Sequence, residues 1–118
     1  HNLHPNSVIY TGTHDNDTSA GWYHSASAKE KDHLRRYFRV SGEEACWDMI
    51  RGAYASVSKL CIIPIQDLLA LGTDARMNIP GVAEGNWSCR MNHQHMFELG
   101  RNSSRYLREL ACLYRRDQ

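Results

Sequence analysis

An excess of charge of either sign is the first thing this sequence lacks. Across 118 residues, 14 Lys and Arg stand against 13 Asp and Glu, for a formal net charge of +1, and the two signs are interspersed. Binding to a nucleic-acid backbone rests on clustered positive charge, so the balance argues against a dedicated nucleic-acid binder. Long apolar runs are missing as well. The longest lies around Leu60-Cys61-Ile62-Ile63-Pro64-Ile65, far short of the roughly 20 residues that span a bilayer, so no membrane protein is expected. The opening His1-Asn-Leu-His-Pro5 carries no initiator Met, basic n-region or apolar h-region; no signal peptide is expected, and the start reads as cut. There is no Cys-x-x-Cys pair. The four cysteines, Cys46, Cys61, Cys89 and Cys112, are 15, 28 and 23 positions apart, which excludes zinc-ribbon and thioredoxin-like spacing and leaves free thiols of a reducing compartment. Three glycosylation sequons, beginning at Asn16, Asn86 and Asn102, matter only in a secreted chain. Internal repeats and low-complexity tracts are absent too.

What is present is ordinary globular composition, 42% hydrophobic and 23% charged, in a length that allows one domain at most. Residues 7–12, β-branched and aromatic after a Pro and an Asn, read as a strand. Residues 13–21 are short and polar and read as a loop. Ser25 or Ser27 can cap a helix running over 29–38. Cys46, Met49, Ile50, Ala53, Tyr54 and Val57 recur at helical spacing and predict a helix between Glu43 and Ser58. Residues 60–65 form a continuous apolar run, as expected of a strand buried on both faces of a parallel sheet. A short helix over 66–72, capped by Asp67 and stopped by Gly72, a loop over 73–88 and an amphipathic helix over 104–116 follow.

Strand, helices, strand is a βαβ crossover, and two strands alone leave both sheet edges unpaired. The pattern therefore reads as the end of a larger α/β fold. A (β/α)8 barrel needs about 250 residues, and this chain matches its last part; a small doubly wound domain is the alternative.

His14 and Asp15 fall just past the carboxyl end of the first strand, where parallel-sheet folds place functional residues. An EF-hand reading fails, because Ala20 and Ala26 stand where Gly and Glu are required. A metal site built on His14 and Asp15 lacks a third ligand at a recognisable spacing, and His93 with His95 is a weak dyad. The bland alternative is a polar turn that caps the next helix. Aromatic and amide residues gather in the same loops: Tyr10, Trp22 and Tyr23 near the first, Asn78, Asn86 and Trp87 near the second. Aromatic faces and amides suit sugars, although Trp and Tyr also fill cores.

These residues carry a resemblance. Val8-Ile-Tyr-Thr-Gly-Thr-His-Asp-Asn-Asp-Thr-Ser-Ala-Gly-Trp22 is similar to the strand-seven region of the amylomaltase or disproportionating-enzyme family, the 4-α-glucanotransferases. Ile63-Pro-Ile-Gln-Asp-Leu-Leu-Ala-Leu-Gly72, Ala75-Arg-Met-Asn-Ile-Pro-Gly81 and Gly85-Asn-Trp-Ser-Cys-Arg90 resemble its strand-eight and C-terminal motifs, with departures at Tyr23 and Cys89, where the family has Trp. The resemblance implies that residues 1–118 are the C-terminal portion of a TIM (β/α)8 barrel, including its last two strands and a C-terminal helix. It implies a retaining transfer of α-1,4-glucan segments. Asp15 would be the transition-state stabiliser and His14 a sugar ligand, with Asn16, Asn78 and Trp87 as further substrate-binding residues. The nucleophile and acid/base fall on no matching motif here, and the chain alone is expected to be inactive. No metal or cofactor is implied. The expected partners are α-1,4-glucans and glucose or maltooligosaccharide acceptors, with no nucleic acid and no membrane, in the cytoplasm or, in a plant or alga, the plastid. A noncatalytic α-glucan-binding module and a metal-dependent hydrolase are the rival readings.

Overall fold

A computed structural model describes residues 2–118. Two short strands, β1 (Val8–Tyr10) and β2 (Leu60–Ile62), pair in parallel with Val8 opposite Leu60 and Tyr10 opposite Ile62. Ladder bonds begin before the strands proper: the Lys59 and Leu60 amides donate to the carbonyls of Pro5 and Ser7 at 2.9 and 3.3 Å. Between the strands run α1 (Ser19–Ser25), α2 (Ala28–Phe38) and α3 (Ala45–Tyr54). After β2 come α4 (Ile65–Leu68), a single 3₁₀ turn at Thr73–Ala75 and a long loop. The chain closes with α5 (His93–Glu98), a π-helical stretch over Leu99–Ser103 and α6 (Ser104–Leu113). The crossover expected from the hydrophobic pattern is present.

Several boundaries differ, each for a local reason. The stretch 13–21 is not all loop, because Thr18 accepts the Gly21 amide at 3.1 Å and starts α1 inside it. Its Ser, Ala and Gly residues show no apolar stripe, so only the cap announces the helix. The α2 start follows the capping signal: Ser27 and Glu30 form a reciprocal capping box, whose bonds hold the Glu30 carboxyl below its ordinary pKa. Helix α4 stops at Leu68, four residues before Gly72, and Ala70 takes a left-handed φ of 50°. Strand β2 is not covered on both faces. Val8, Tyr10, Leu60 and Ile62 share one side of the pleat and are all 42–51% exposed, so that side of the two strands, with Leu60 and Ile62 of the apolar run, is left largely uncovered by the described elements.

The core lies under the helices. Cys46, Ile50 and Leu110 form its buried centre, with Ala20, Trp47, Ile63, Leu68, Leu107 and Tyr114 packed around them. Burial pushes the Cys46 thiol up to about 12, with the neighbouring Asp67 adding to the shift, and its Sγ donates to the Asp67 carbonyl at 3.1 Å. The cysteines are unpaired, as their spacing implies. At the end of the chain, the Arg116 guanidinium donates to the carbonyls of Tyr54, Ser56 and Ser58 at 2.7, 2.9 and 3.0 Å. It thereby satisfies acceptors that the end of α3 and the approach to β2 leave open.

Asp67 does not cap α4. The N-cap there is Pro64, without a side-chain bond. The Asp67 carboxylate, 2% exposed, reaches across to accept from the Thr11 hydroxyl at 2.6 Å and from the amide and hydroxyl of Ser19, each at 2.8 Å. It joins the exit of β1, the first turn of α1 and α4. A carboxylate without a cation is costly to bury unless its oxygens are well bonded, and these bonds have the short lengths of charge-assisted ones. Asp67→Ala would strand the buried Ser19 amide and both hydroxyls. At about 1–3 kcal/mol for each unsatisfied buried group, the loss should exceed about 2 kcal/mol of stability, read by denaturant unfolding of the protein that carries this chain.

Candidate functional site

The site forms where the chain leaves the two strands. After β1 the backbone turns at residues 13–16, the Asn16 amide donating to the Thr13 carbonyl at 3.2 Å. The Asn16 side-chain oxygen closes the same turn by accepting from the Thr13 amide and hydroxyl at 2.8 and 3.0 Å. This is why Asn and Asp occupy the segment: their side chains bond nearby backbone and hold a tight turn. The turn lifts His14 and Asp15 to the surface, with side chains 56% and 48% exposed, and brings His14 Nε2 within 3.4 Å of Asp15 Oδ1.

The segment after β2 crosses beside this turn and is laced to it. The Asn78 amide donates to the His14 carbonyl at 3.0 Å, and Asn78 Nδ2 donates to Asp15 Oδ1 at 2.7 Å. Further along the same two segments, the Thr73 hydroxyl donates to Asp17 Oδ2 at 2.9 Å, while Asp17 Oδ1 accepts the Thr18 amide at 2.8 Å. Gly21 lies directly against this tie. A Cβ there would collide with the Thr73 hydroxyl and the Asp17 carboxylate, which explains a glycine inside a helix despite its cost of about 1 kcal/mol relative to Ala.

Trp87 completes the cluster from the long loop. Asn86 shapes that loop, accepting the Ile79 amide at 2.9 Å and donating to the Val82 carbonyl at 2.8 Å. Trp87 then takes a left-handed φ of 59°, with its amide donating to Met77 at 2.7 Å. For a bulky residue that backbone costs about 1–2 kcal/mol, and such strain gathers at functional sites. The indole is 62% exposed and lies 5.1 Å from the His14 ring, tilted by 33°. An indole so exposed is not core. The cleft between the two segments encloses about 640 Å³, with Tyr10, His14, Asp15, Asn16, Arg76 and Trp87 among its walls, within the usual size of a small-ligand site.

The structure thus brings together four of the five residues singled out from the sequence: His14, Asp15, Asn78 and Trp87. Asn16 borders the same cleft, but its oxygen is spent on the turn, leaving its amide nitrogen without a hydrogen bond among the described residues. Trp22 belongs to α1 and lines a separate groove beside α2. Tyr23 accepts from Arg35 at 3.2 Å, with Lys31 5.6 Å above its ring. Among the described residues no group of three or more His, Cys, Asp or Glu side chains could hold a metal ion, and no helix is long and apolar enough to cross a membrane. Arg76 escaped the sequence reading, although it stands two residues before Asn78 in an extended stretch and so on the same side of the backbone.

A carboxylate, an imidazole, an amide and a bare indole at the carboxyl ends of parallel strands make a ligand site of the kind α/β proteins build. Residues 1–95 match the family model for 4-alpha-glucanotransferase, and the chain belongs to that family. It is 41% identical over 117 residues to the chloroplastic/amyloplastic 4-alpha-glucanotransferase of Arabidopsis thaliana, covering 98% of this chain and 20% of that protein. The 4-alpha-glucanotransferase of Thermus thermophilus is 46% identical over 94 residues, 75% of this chain and 19% of its own length. An amylomaltase from Streptococcus agalactiae, solved in complex with acarbose, matches at a TM-score of 0.89 and 34% identity over 97% of this chain and 23% of its own. The chain spans about a fifth of the length of the curated relatives it matches.

The Asn78–Asp15 bond can be tested by charge. Asn78→Asp sets a second carboxyl where an amide donated to the first, and like charges so close cannot both ionise freely. The variant should lose about 0.5–1.5 kcal/mol of stability near neutral pH, read by denaturant unfolding of the protein that carries this chain. Unchanged stability would show that the two segments do not hold these groups together.

Proposed function

We propose that this chain is the carboxyl-terminal portion of a 4-α-glucanotransferase barrel, carrying the last two strands of its (β/α)8 sheet over residues 1–118. The bare apolar face of Val8, Tyr10, Leu60 and Ile62 supports this, since strands of a (β/α)8 barrel are covered on both faces, by the interior side chains of the other strands and by the outer helices. The family membership and the match over 97% of the chain to an amylomaltase support the activity.

The observation that carries the reading is Asp15. Its carboxylate is held at a strand end by a neutral amide, with His14 Nε2 3.4 Å away, makes no bond to Lys or Arg among the described residues, and is half-exposed in the cleft. A retaining glycosyl transfer runs through an oxocarbenium-like transition state between a nucleophile and an acid/base carboxyl roughly 5 Å apart. Those two groups come from the part of the enzyme outside this chain. Asp15 adds a third carboxylate, placed to accept hydroxyl hydrogen bonds from the donor sugar as it flattens and positive charge builds at the anomeric carbon. An interaction that strengthens in the transition state raises turnover more than affinity. His14 donates a further bond to the sugar, Trp87 offers its face for stacking, and Asn78 and Asn16 contribute amide nitrogens at the rim. The substrates are α-1,4-glucans, with glucose or maltooligosaccharides as acceptors.

The test compares variants of the full-length enzyme. Asp15→Asn keeps shape and removes charge, and kcat should fall on the order of 10²–10³ or more, while glucan affinity changes far less. His14→Ala should weaken both, with the smaller loss in kcat. Asp17→Asn, in a residue bonded only to Thr18 and Thr73 among the described residues, should keep kcat. Near-native turnover in Asp15→Asn with collapse in Asp17→Asn would displace the assignment.

A further inference from the structure

We propose that Arg76 is a positioning residue that fixes Asp15 through the peptide backbone and leaves its carboxylate charge unspent; this rests on the reading of Asp15 as the transition-state stabiliser. The Arg76 guanidinium donates from Nη2 to the Asp15 carbonyl at 2.6 Å and from Nε to the Asn78 carbonyl at 3.0 Å. One side chain thus grips both segments at the two residues whose side chains meet, because Asn78 Nδ2 donates to Asp15 Oδ1 at 2.7 Å. Asp15 is held at its carbonyl by Arg76 and at its carboxylate by Asn78.

The choice of acceptors matters. An Arg beside a carboxylate ordinarily forms a bidentate ion pair, and that would neutralise the charge that a developing oxocarbenium ion needs. Arg76 forms no salt bridge among the described residues. Its donors go to neutral carbonyls, so it fixes where Asp15 stands without pairing its charge. The fork is required: two donors in a fixed plane reach two carbonyls at once, while a Lys ammonium is a point charge on a flexible stem. Arg76 itself is half-buried and lines the cleft beneath Asp15.

The test is a double-mutant cycle in the full-length enzyme, with kcat taken per folded molecule. Arg76→Lys retains charge and stem and is the informative variant if Arg76→Ala fails to fold. Arg76→Lys should lower kcat about 10- to 100-fold, the scale of a misplacement near 1 Å, while KM for maltotriose shifts much less. Added to Asp15→Asn, it should cost little more, because a residue that acts through Asp15 has nothing left to position. Native kcat in Arg76→Lys, a loss confined to thermal stability, or a full additional loss on top of Asp15→Asn would each overturn the proposal. If Asp15→Asn alone turns over at the native rate, the reading of Asp15 fails first and takes this inference with it; if Asp15→Asn collapses and Arg76→Lys does not, only the role of Arg76 is lost.

Discussion

A carboxylate taken out of water without a cation is stable only where donors surround it, and Asp67 satisfies that condition with three short bonds, to Thr11 and twice to Ser19. Because those donors lie at the exit of β1 and in the first turn of α1, the position of everything between them follows. The turn carrying His14 and Asp15 is strung from Thr11 to Ser19, with both ends fixed to one side chain of α4. Asp67 also belongs to the segment that follows β2, so the two strand exits are referenced to each other in the core before their surface residues meet. Its backbone carbonyl accepts the Cys46 thiol, tying the same point to α3.

From that anchor outward, successive bonds run along the two segments: Thr73 to Asp17, Asn78 to Asp15 and His14, and Arg76 to the carbonyl of Asp15. Parallel strands deliver both segments to the same end of the sheet, which makes such lacing feasible. The result is a hydrogen-bonded rim that holds the Asp15 carboxylate with a neutral amide and its backbone with a guanidinium. The proposed role of Asp15 would gain from this arrangement, since a prepositioned group needs no reorganisation when the reaction occurs. The left-handed Trp87 is held at the same rim by its amide bond to Met77.

Much of this was legible in the residues themselves. Periodicity marked α3 and α6, Ser27 marked the start of α2, and the position of His14-Asp15 after a β-branched run marked the strand-end site. The resemblance of four quoted segments indicated the family. Helix α1 was hidden because seven residues of Ser, Ala, Gly and aromatics show no stripe, and α5 because none of its residues is buried. The burial expected of β2 was not met because an apolar run reports what a strand can bury, while among the described elements none packs fully over Leu60 and Ile62. Asp67 and Arg76 were illegible for a different reason. Each acts across more than 45 positions of sequence, reaching Ser19 and Asp15, and one-dimensional spacing carries no trace of such a contact.

In the proposed function, Asp15 meets the donor sugar at the cleft formed by the two strand exits. A crystal structure of the full-length enzyme with a bound maltooligosaccharide would decide this. The expected result is an Asp15 carboxylate oxygen within hydrogen-bond distance, about 2.5–3.0 Å, of sugar hydroxyls, with the Asn78 bond retained and a glucose ring against Trp87. A sugar seated elsewhere, with Asp15 facing solvent across an empty cleft, would contradict it.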